Sequence, residues 1–203
     1  MDEGPKPRVC KKLLSKSWVD KLLGLSDDLY ENSVVARPDG TNERDKRRTS
    51  TSLSLSKLKS CSLKQNLIGI LKNKLDIPLD PEVIIDMEIL RYTSDQAFKL
   101  HHDAGVLSGN KEEGFAVEAD VHRVATAIVC LTNGSGGGTY FPWLDRKYQG
   151  NSGDGIVFCN FRPVAQSDRA LAVEADPRMR HEGRPDTDTM RKVLGVAFIT
   201  KPA

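Results

Sequence analysis

The chain has 203 residues, of which 38% are hydrophobic and 29% are charged, and this composition is typical of one soluble globular domain. Its 30 basic and 28 acidic side chains leave a net charge of +2, so bulk charge gives no case for binding nucleic acid. No apolar run approaches the roughly 20 residues of a membrane span, and the polar N-terminus lacks the apolar core of a signal peptide. The four cysteines form no C-x-x-C pair. We therefore expect a cytoplasmic or nuclear protein with reduced thiols, with neither membrane nor nucleic acid among its partners.

Two helices are predicted in residues 1–80, which we expect to form a helical support for the rest of the chain. Apolar residues at three-to-four spacing predict the first helix over residues 9–30 and the second over residues 58–75. Between them, residues 32–56 are poor in apolar side chains and rich in Arg, Asp, Gly, Ser and Thr. This segment is either a disordered linker or a flexible loop that orders over a site.

After Pro81 the pattern changes to short strand-like runs separated by clusters of Gly, Asp and Asn. Strands are predicted at residues 84–92, 124–131, 139–143, 155–161 and 193–200. Helices followed by many short strands favour a mainly β fold with N-terminal helices, of the α+β class. We expect one domain over residues 1–203, with its β core in residues 81–203.

The segment His101-His102-Asp103 holds the strongest candidate for chemistry. Successive side chains of a strand face opposite ways, so His101 and Asp103 share one face while His102 takes the other and is best explained by packing. An imidazole and a carboxylate side by side, completed by a distant third ligand, form the two-His, one-carboxylate arrangement of non-haem iron(II) oxygenases. Alone, the H-x-D pattern is a weak signal.

A second histidine strengthens this hypothesis. His181 stands shortly before an apolar strand and has Arg191 ten positions on. The histidine could bind the metal, and the planar guanidinium could pair with a dicarboxylate. His122 also stands before a strand and is the main rival for third ligand, but it has no arginine ten residues on.

Seven motifs in this order resemble the prolyl 4-hydroxylase-type branch of the 2-oxoglutarate- and iron(II)-dependent dioxygenases. The resemblance covers roughly residues 47–198. The motifs are Arg48-Thr49-Ser50, Glu88-Ile89-Leu90-Arg91-Tyr92, His101-His102-Asp103, Arg123-Val124-Ala125-Thr126, Gly136-Gly137-Gly138-Thr139-Tyr140-Phe141-Pro142, Gly153-Asp154-Gly155, and His181-Glu182-Gly183-Arg184-Pro185 followed by Arg191.

The resemblance implies a double-stranded β-helix, or jelly roll, that forms a single catalytic domain. Fe(2+) would be bound by His101, Asp103 and His181. The cosubstrates would be 2-oxoglutarate and O2, with ascorbate as a further candidate cofactor. The reaction would hydroxylate an unactivated C–H bond and release succinate and CO2.

The resemblance also assigns roles around the metal. Arg191 would pair with the distal carboxylate of 2-oxoglutarate, Tyr92 would donate a hydrogen bond to the cosubstrate, and Thr139 would line the same pocket. The candidates for substrate contact are Arg48, Phe98 and Trp143, although packing also explains Trp143. The acidic stretch 111–120 corresponds to a loop that often closes over substrate in this family.

Two positions depart from the family pattern. Phe98 stands where many members have Tyr, and Arg191 stands where many peptidyl-prolyl members have Lys. Lys192 would be the anchor if the alignment shifts by one residue. These departures leave the metal chemistry intact and weaken the argument for a proline substrate.

The leading hypothesis is therefore a hydroxylase of a protein or peptide side chain, with prolyl favoured. The alternatives are a hydroxylase of peptidyl lysine, a hydroxylase of a free amino acid or other small molecule, and a cupin-like metal-binding module without turnover. Arg191 counts against the binding module, which has no need of a dicarboxylate site. The sequence leaves the substrate and the oligomeric state open.

Overall fold

The computed structural model describes residues 6–25, 27–36, 42–58, 61–75, 83–104, 122–133, 137–164, 172–184 and 190–200. In these ranges the α-helices are α1 (Lys16–Leu23) and α2 (Cys61–Leu75). The strands are β1 (Arg8–Cys10), β2 (Glu31–Asn32), β3 (Val35–Ala36), β4 (Asn42–Glu43), β5 (Thr51–Ser54), β6 (Ile84–Tyr92), β7 (Phe98–His101), β8 (His122–Cys130), β9 (Gly138–Phe141), β10 (Arg146–Tyr148), β11 (Gly155–Cys159), β12 (Phe161–Val164), β13 (Ala172–Ala175), β14 (His181–Arg184) and β15 (Arg191–Thr200). Across these ranges, neither helix has the length and apolar character needed to cross a bilayer.

The strands form two main antiparallel sheets. The larger has seven strands in the order β1-β11-β8-β15-β6-β5-β2, and the smaller has four in the order β10-β9-β14-β7. Strand β15 lies at the centre of the larger sheet, paired along its length with both β6 and β8. The remaining strands form the two-stranded ribbons β3-β4 and β12-β13.

Alternating side chains give the seven-stranded sheet two different buried faces. In β6, Ile85, Met87 and Ile89 belong to the main hydrophobic core together with Leu67 and Leu71 of α2. The intervening side chains of β6, Glu88, Leu90 and Tyr92, line a cavity on the opposite face. Period-two alternation therefore assigns one face of the sheet to the helices and the other to a site.

The mainly β architecture with N-terminal helices is confirmed. The second predicted helix is α2, and each predicted strand has a counterpart: β6, β8, β9, β11 and β15. Their bounds differ from the predicted ones by a few residues at the ends.

The first predicted helix, over residues 9–30, is wrong in its extent. Residues Arg8–Cys10 form β1, which pairs with β11 at the edge of the sheet, and α1 begins only after its N-cap at Ser15 and ends at Leu23, before its C-cap at Gly24. Between β1 and α1 the chain turns at Lys12, whose φ is 50°. Leu13 and Leu14 are buried in the core, so their apolar spacing reflects the turn's packing and not a continuous helix.

A glycine is needed beneath this turn. Gly153 has a φ of 87°, and a Cβ built there would lie 2.5 Å from the carbonyl oxygen of Leu14. Its own carbonyl accepts a hydrogen bond from the Leu14 N–H at 3.0 Å. Only glycine fits both the backbone conformation and the close approach, which ties the turn before α1 to the loop before β11.

The described part of the segment 32–56 contributes to the sheets. Strand β5 pairs with β6, where Leu53 and, just beyond it, Leu55 are buried in the core, and Arg48 forms an isolated bridge with Phe98. Residues 37–41 lie outside the described part. The flexibility of this segment remains a prediction. So does the division of the domain into a helical support over residues 1–80 and a β core over residues 81–203.

Candidate metal site

A cavity lies between the two main sheets and collects most of the residues that the sequence singled out. Strands β6, β8 and β15 of the larger sheet form one wall, and β7, β9 and β14 of the smaller sheet form the other. The lining residues are Arg48, Glu88, Leu90, Tyr92, Phe98, His101, Asp103, Arg123, Thr126, Ile128, Thr139, His181, Gly183 and Val193.

His101, Asp103 and His181 come together at this cavity. One ligating atom from each lies within 4.8 Å of the others, and all three residues are buried. His101 ends β7 and His181 begins β14, and these two strands pair with the histidines opposite each other. Asp103 lies in the turn after β7. Its side chain still lies beside that of His101, as the two-residue spacing predicted, although the strand ends at His101.

The backbone fixes which nitrogen each histidine presents. Nδ1 of His101 lies 2.7 Å from the carbonyl oxygen of Lys99, and Nδ1 of His181 lies 2.9 Å from that of Met179. A carbonyl only accepts, so each Nδ1 carries the proton and each Nε2 keeps its lone pair. The two Nε2 atoms lie 3.5 and 3.8 Å from the carboxylate oxygens of Asp103, as expected of imidazoles prepared to bind a metal.

Asp103 is held in its ionised form by its neighbours. Burial alone would raise the pKa of this carboxyl, but the positive charge of the nearby Arg123 guanidinium opposes this effect, and the pKa lies well below its usual range. Nη1 of Arg123 lies 3.7 Å from Oδ1. On the other side, the Thr126 hydroxyl donates a hydrogen bond to Oδ2 at 2.7 Å, which fixes the rotation of the carboxylate.

Aromatic side chains surround the two histidines. The ring of Phe98 stacks on His101 with centroids 3.6 Å apart, and Phe141 and Phe158 pack against His181 at 5.3 and 5.1 Å. Burial lowers the pKa of His181 to about 4, so its imidazole is neutral near pH 7. Two imidazoles and one carboxylate in an apolar setting form a donor set that suits iron(II).

His102 faces away from this cluster. Its Nδ1 accepts a hydrogen bond from the Ala104 N–H at 3.0 Å, and its Nε2 lies 2.8 Å from the carbonyl oxygen of Asp176. This agrees with the packing role expected from strand alternation. The side chain of His122, the rival ligand, lies outside the described part of the structure.

The expected cosubstrate residues lie on three different strands. Tyr92 is buried, and its hydroxyl would lie 3.2 Å from a Cβ built on Gly183, so this glycine keeps room for the phenol. Thr139 on β9 is also buried and lines the cavity. The backbone of Arg191 pairs with that of Tyr92, while the Arg191 side chain lies outside the described part.

Lys192 has a different environment. Its Nζ lies 3.2 Å from Oδ1 of Asp27 and 5.1 Å from the ring centre of Tyr30, and Lys192 does not line the cavity. Val193, the next residue, does line it. Lys192 therefore belongs to the helix-side face of β15, and the structure does not support it as the alternative anchor.

The three substrate candidates are not all brought together. Arg48 and Phe98 line the cavity, with the guanidinium carbon of Arg48 5.0 Å from the Phe98 ring centre. Trp143 is 69% exposed and does not line it. The stretch 111–120, expected to close over substrate, lies outside the described residues.

Sequence reasoning missed the roles of Arg123 and Thr126. Both lie in a motif that was recognised, but strict alternation would put them on opposite faces of β8. The pairing of β8 with β15 shifts register so that Phe198 faces Ala125 and Ile199 faces Arg123. The extra residue, Val124, packs on the core side, and this bulge turns Arg123 toward the cavity.

Comparisons with known proteins agree with this geometry. No family model matches the chain. A protein of Acanthamoeba polyphaga mimivirus named "Putative prolyl 4-hydroxylase" is 25% identical over 195 residues, covering 95% of this chain and 74% of the relative. The viral collagen prolyl hydroxylase of Paramecium Bursaria Chlorella virus-1, in its 2-oxoglutarate complex, superposes with a TM-score of 0.65 at 19% identity, covering 97% of each chain. A Trichoplax adhaerens prolyl hydroxylase, in complex with a peptide fragment of hypoxia inducible factor, gives 0.62 at 15% identity, covering 95% of this chain and 82% of that one.

The fold is the double-stranded β-helix of the 2-oxoglutarate- and iron(II)-dependent oxygenases, as the sequence predicted. The expected enzyme class, a 2-oxoglutarate-dependent dioxygenase, agrees with the activities for which these relatives are named. Within that class, the chain resembles the prolyl 4-hydroxylases, in agreement with the ordered motifs.

Proposed function

We propose that the protein hydroxylates a side chain of a protein or peptide, most favourably prolyl, using Fe(2+), 2-oxoglutarate and O2. The observation that carries this proposal is the buried cluster of His101, Asp103 and His181, within 4.8 Å of one another at the cavity. A binding module of the cupin kind would need the metal ligands but no cosubstrate pocket beside them.

In this proposal His101, Asp103 and His181 hold the iron. Nε2 of each histidine is available because its Nδ1 proton is engaged by a backbone carbonyl. When bound, iron and 2-oxoglutarate supply the oxidising chemistry for C–H hydroxylation, with succinate and CO2 as coproducts. The protein positions the ligands and excludes water. The phenylalanines that pack on the histidines help to exclude water.

The residues proposed for 2-oxoglutarate are Arg191, Tyr92 and Thr139. Strand alternation puts position 191 on the same face of β15 as Val193, which lines the cavity. A guanidinium there would pair with the distal carboxylate in a bidentate way. Tyr92 and Thr139, both buried at this cavity, supply hydroxyl donors for the remaining carboxylate oxygens.

The residues proposed for substrate are Arg48 and Phe98, which line the cavity together with Glu88. Phe98 offers an apolar ring without the hydroxyl that many family members have there, so it suits an aliphatic side chain but does not favour prolyl over other aliphatic side chains. Trp143, at 69% exposure, would contact only a substrate that extends out of the cavity. Ascorbate as a cofactor, and a cytoplasmic or nuclear location, stay predictions.

The test measures succinate release with iron(II), 2-oxoglutarate and O2, first without any molecule to hydroxylate and then with pools of peptides. We expect slow succinate release alone, faster release with peptides, and a gain of one oxygen atom on a peptide side chain by mass spectrometry. Oxidation of free amino acids or other small molecules in place of peptides would support the small-molecule alternative. Failure of 2-oxoglutarate to bind or turn over would contradict the proposed function altogether.

A further inference from the structure

A second cavity lies beside the first, and the two share Arg48. Its lining includes the basic side chains of Arg44, Lys46 and Arg48, the acid Asp45 and the hydroxyl-bearing Ser33 and Ser50. Its described lining runs from Asn32 at the end of β2 to Ser50 just before β5, and includes Arg48, which bridges to Phe98 of β7.

This second cavity has an excess of positive charge. Asp45, the one acid among the described lining residues, is paired locally, because Oδ1 accepts from the Arg47 backbone N–H at 2.7 Å and Oδ2 accepts from the Arg47 side chain at 2.7 and 3.0 Å. Arg48 is paired with Glu88. Arg44 and Lys46 are exposed, and neither forms an ion pair with a described residue, so the described part of the lining carries two positive charges without an acidic partner.

Arg48 connects the two cavities. Its side chain is 8% exposed, its Nη1 donates to the carbonyl oxygen of Val34 at 3.0 Å, and its Nε is buried without a hydrogen-bond partner in the described structure. Its guanidinium carbon lies 5.0 Å from the Phe98 ring centre, and that ring stacks on His101 at 3.6 Å. The guanidinium is therefore within about 9 Å of the His101 ring, or about three residues of extended peptide at roughly 3.3 Å each.

We propose that the second cavity selects peptide substrates with an Asp or Glu two to four residues from the hydroxylated side chain. The inference rests on the proposed peptidyl function and specifies its substrate class. A carboxylate in this cavity would meet Arg44 and Lys46 at the entrance. Such charge complementarity discriminates among partners through attraction of the right charge and repulsion of the wrong one.

The experiment uses peptide libraries with one central proline, or one central lysine, and random flanking residues. The enzyme is incubated with iron(II), 2-oxoglutarate and O2, and the peptides that gain one oxygen atom are sequenced by mass spectrometry. We expect Asp and Glu to be enriched about fivefold over Asn and Gln at one or more positions two to four residues from the oxidised one, as two partly exposed ion pairs allow.

Charge reversal provides the sharper comparison. The double variant Arg44→Glu, Lys46→Glu should replace the acidic preference with a preference for Lys and Arg at the same positions. The matched control Lys16→Glu, Lys21→Glu makes the same change of charge on α1, outside both cavities, and should keep the acidic preference. Thermal unfolding of both variants shows that they are folded.

Three outcomes overturn the inference. If peptides are oxidised without a preference for Asp or Glu, the inference is wrong but the proposed function is not contradicted. An acidic preference that survives the reversal at Arg44 and Lys46 places the selecting charge elsewhere. Intact 2-oxoglutarate turnover without oxidation of any peptide overturns both the peptidyl substrate and this inference.

Discussion

At the scale of single residues, the site depends on the groups that orient the metal ligands. The sequence could indicate His101, Asp103 and His181 because their side chains carry the chemistry and because they lie in a series of motifs in the family's order. It could not indicate that backbone carbonyls fix both imidazoles, since any residue offers a carbonyl. The contact of Thr126 with Asp103 was also hidden, because it joins β8 to the turn after β7, 23 residues earlier in the chain.

Replacing Thr126 with valine should weaken metal binding. Valine keeps the shape of the side chain but removes the hydroxyl that donates to Oδ2 of Asp103 at 2.7 Å, so the carboxylate loses a fixed orientation. Loss of such an outer partner lowers metal affinity by about 10- to 100-fold. Titration of the metal-free protein with Co(II), followed by its visible absorption, measures the change.

The control for this prediction is Thr93→Val, since the Thr93 hydroxyl donates to Asp95 on the exposed surface. That variant should bind Co(II) as the wild type does. Equal affinities for Thr126→Val and the wild type would show that the hydrogen bond does not position Asp103.

At the scale of elements, strand alternation decides which residues reach the cavity. It was readable from sequence along β6, where Glu88 and Tyr92 face the cavity while Met87 and Ile89 face the core. It was not readable along β8, where the bulge at Val124 changes the face of the strand. A bulge depends on pairing with a distant partner strand, and a single strand's sequence does not reveal it.

Alternation along β15 predicts that substitutions of the adjacent residues Arg191 and Lys192 affect different properties, the first cosubstrate binding and the second stability. Arg191→Ala should raise the KM for 2-oxoglutarate about 10- to 100-fold, because a charge-assisted hydrogen-bonded pair contributes about 1.5–3 kcal/mol. Lys192→Met should leave that KM unchanged and lower the free energy of unfolding by at most about 1 kcal/mol, since its partner Asp27 is mostly exposed. Initial rates of succinate release and urea unfolding measure the two effects.

Arg191→Lys extends this comparison, because lysine keeps the charge but loses the planar fork. It should fall between the wild type and Arg191→Ala. If Lys192→Met raised the KM for 2-oxoglutarate and Arg191→Ala did not, Arg191 would not be the anchor.

At the scale of the whole molecule, the fold places a helix-backed core on one side of the larger sheet and the site on the other. The order of helices and strands and the apolar runs of β6, β8, β11 and β15 were enough to predict the fold class. Short elements were missed: β1, β12 and β13 have three or four residues each. Such strands form because a partner is present, so their own sequences carry little signal.

Burial of neutral histidines predicts how the stability of the metal-free protein depends on pH. Burial lowers the pKa of His181 to about 4 and also lowers that of His102, while an unfolded histidine titrates near 6.5. The unfolded state therefore binds protons that the folded state does not, and stability falls as the pH drops from about 6.5 to about 4. For His181 alone the loss is at most about 3 kcal/mol.

Urea unfolding in the presence of a chelator, at several values between about pH 7 and about pH 5, measures this dependence. His102→Gln should make the slope with pH shallower, because one of the two buried groups no longer titrates. A free energy of unfolding that stays constant over this interval would contradict the burial of neutral imidazoles.

The most direct measurement of the central claim is the visible charge-transfer absorption that appears when 2-oxoglutarate chelates protein-bound iron(II) without oxygen. We expect this band in the wild type at one iron per chain, its loss in His101→Ala, Asp103→Ala and His181→Ala, and its retention in His102→Gln, since His102 faces away from the cavity. A wild-type protein without the band, or a band that survives His101→Ala and disappears in His102→Gln, would contradict an iron site formed by His101, Asp103 and His181.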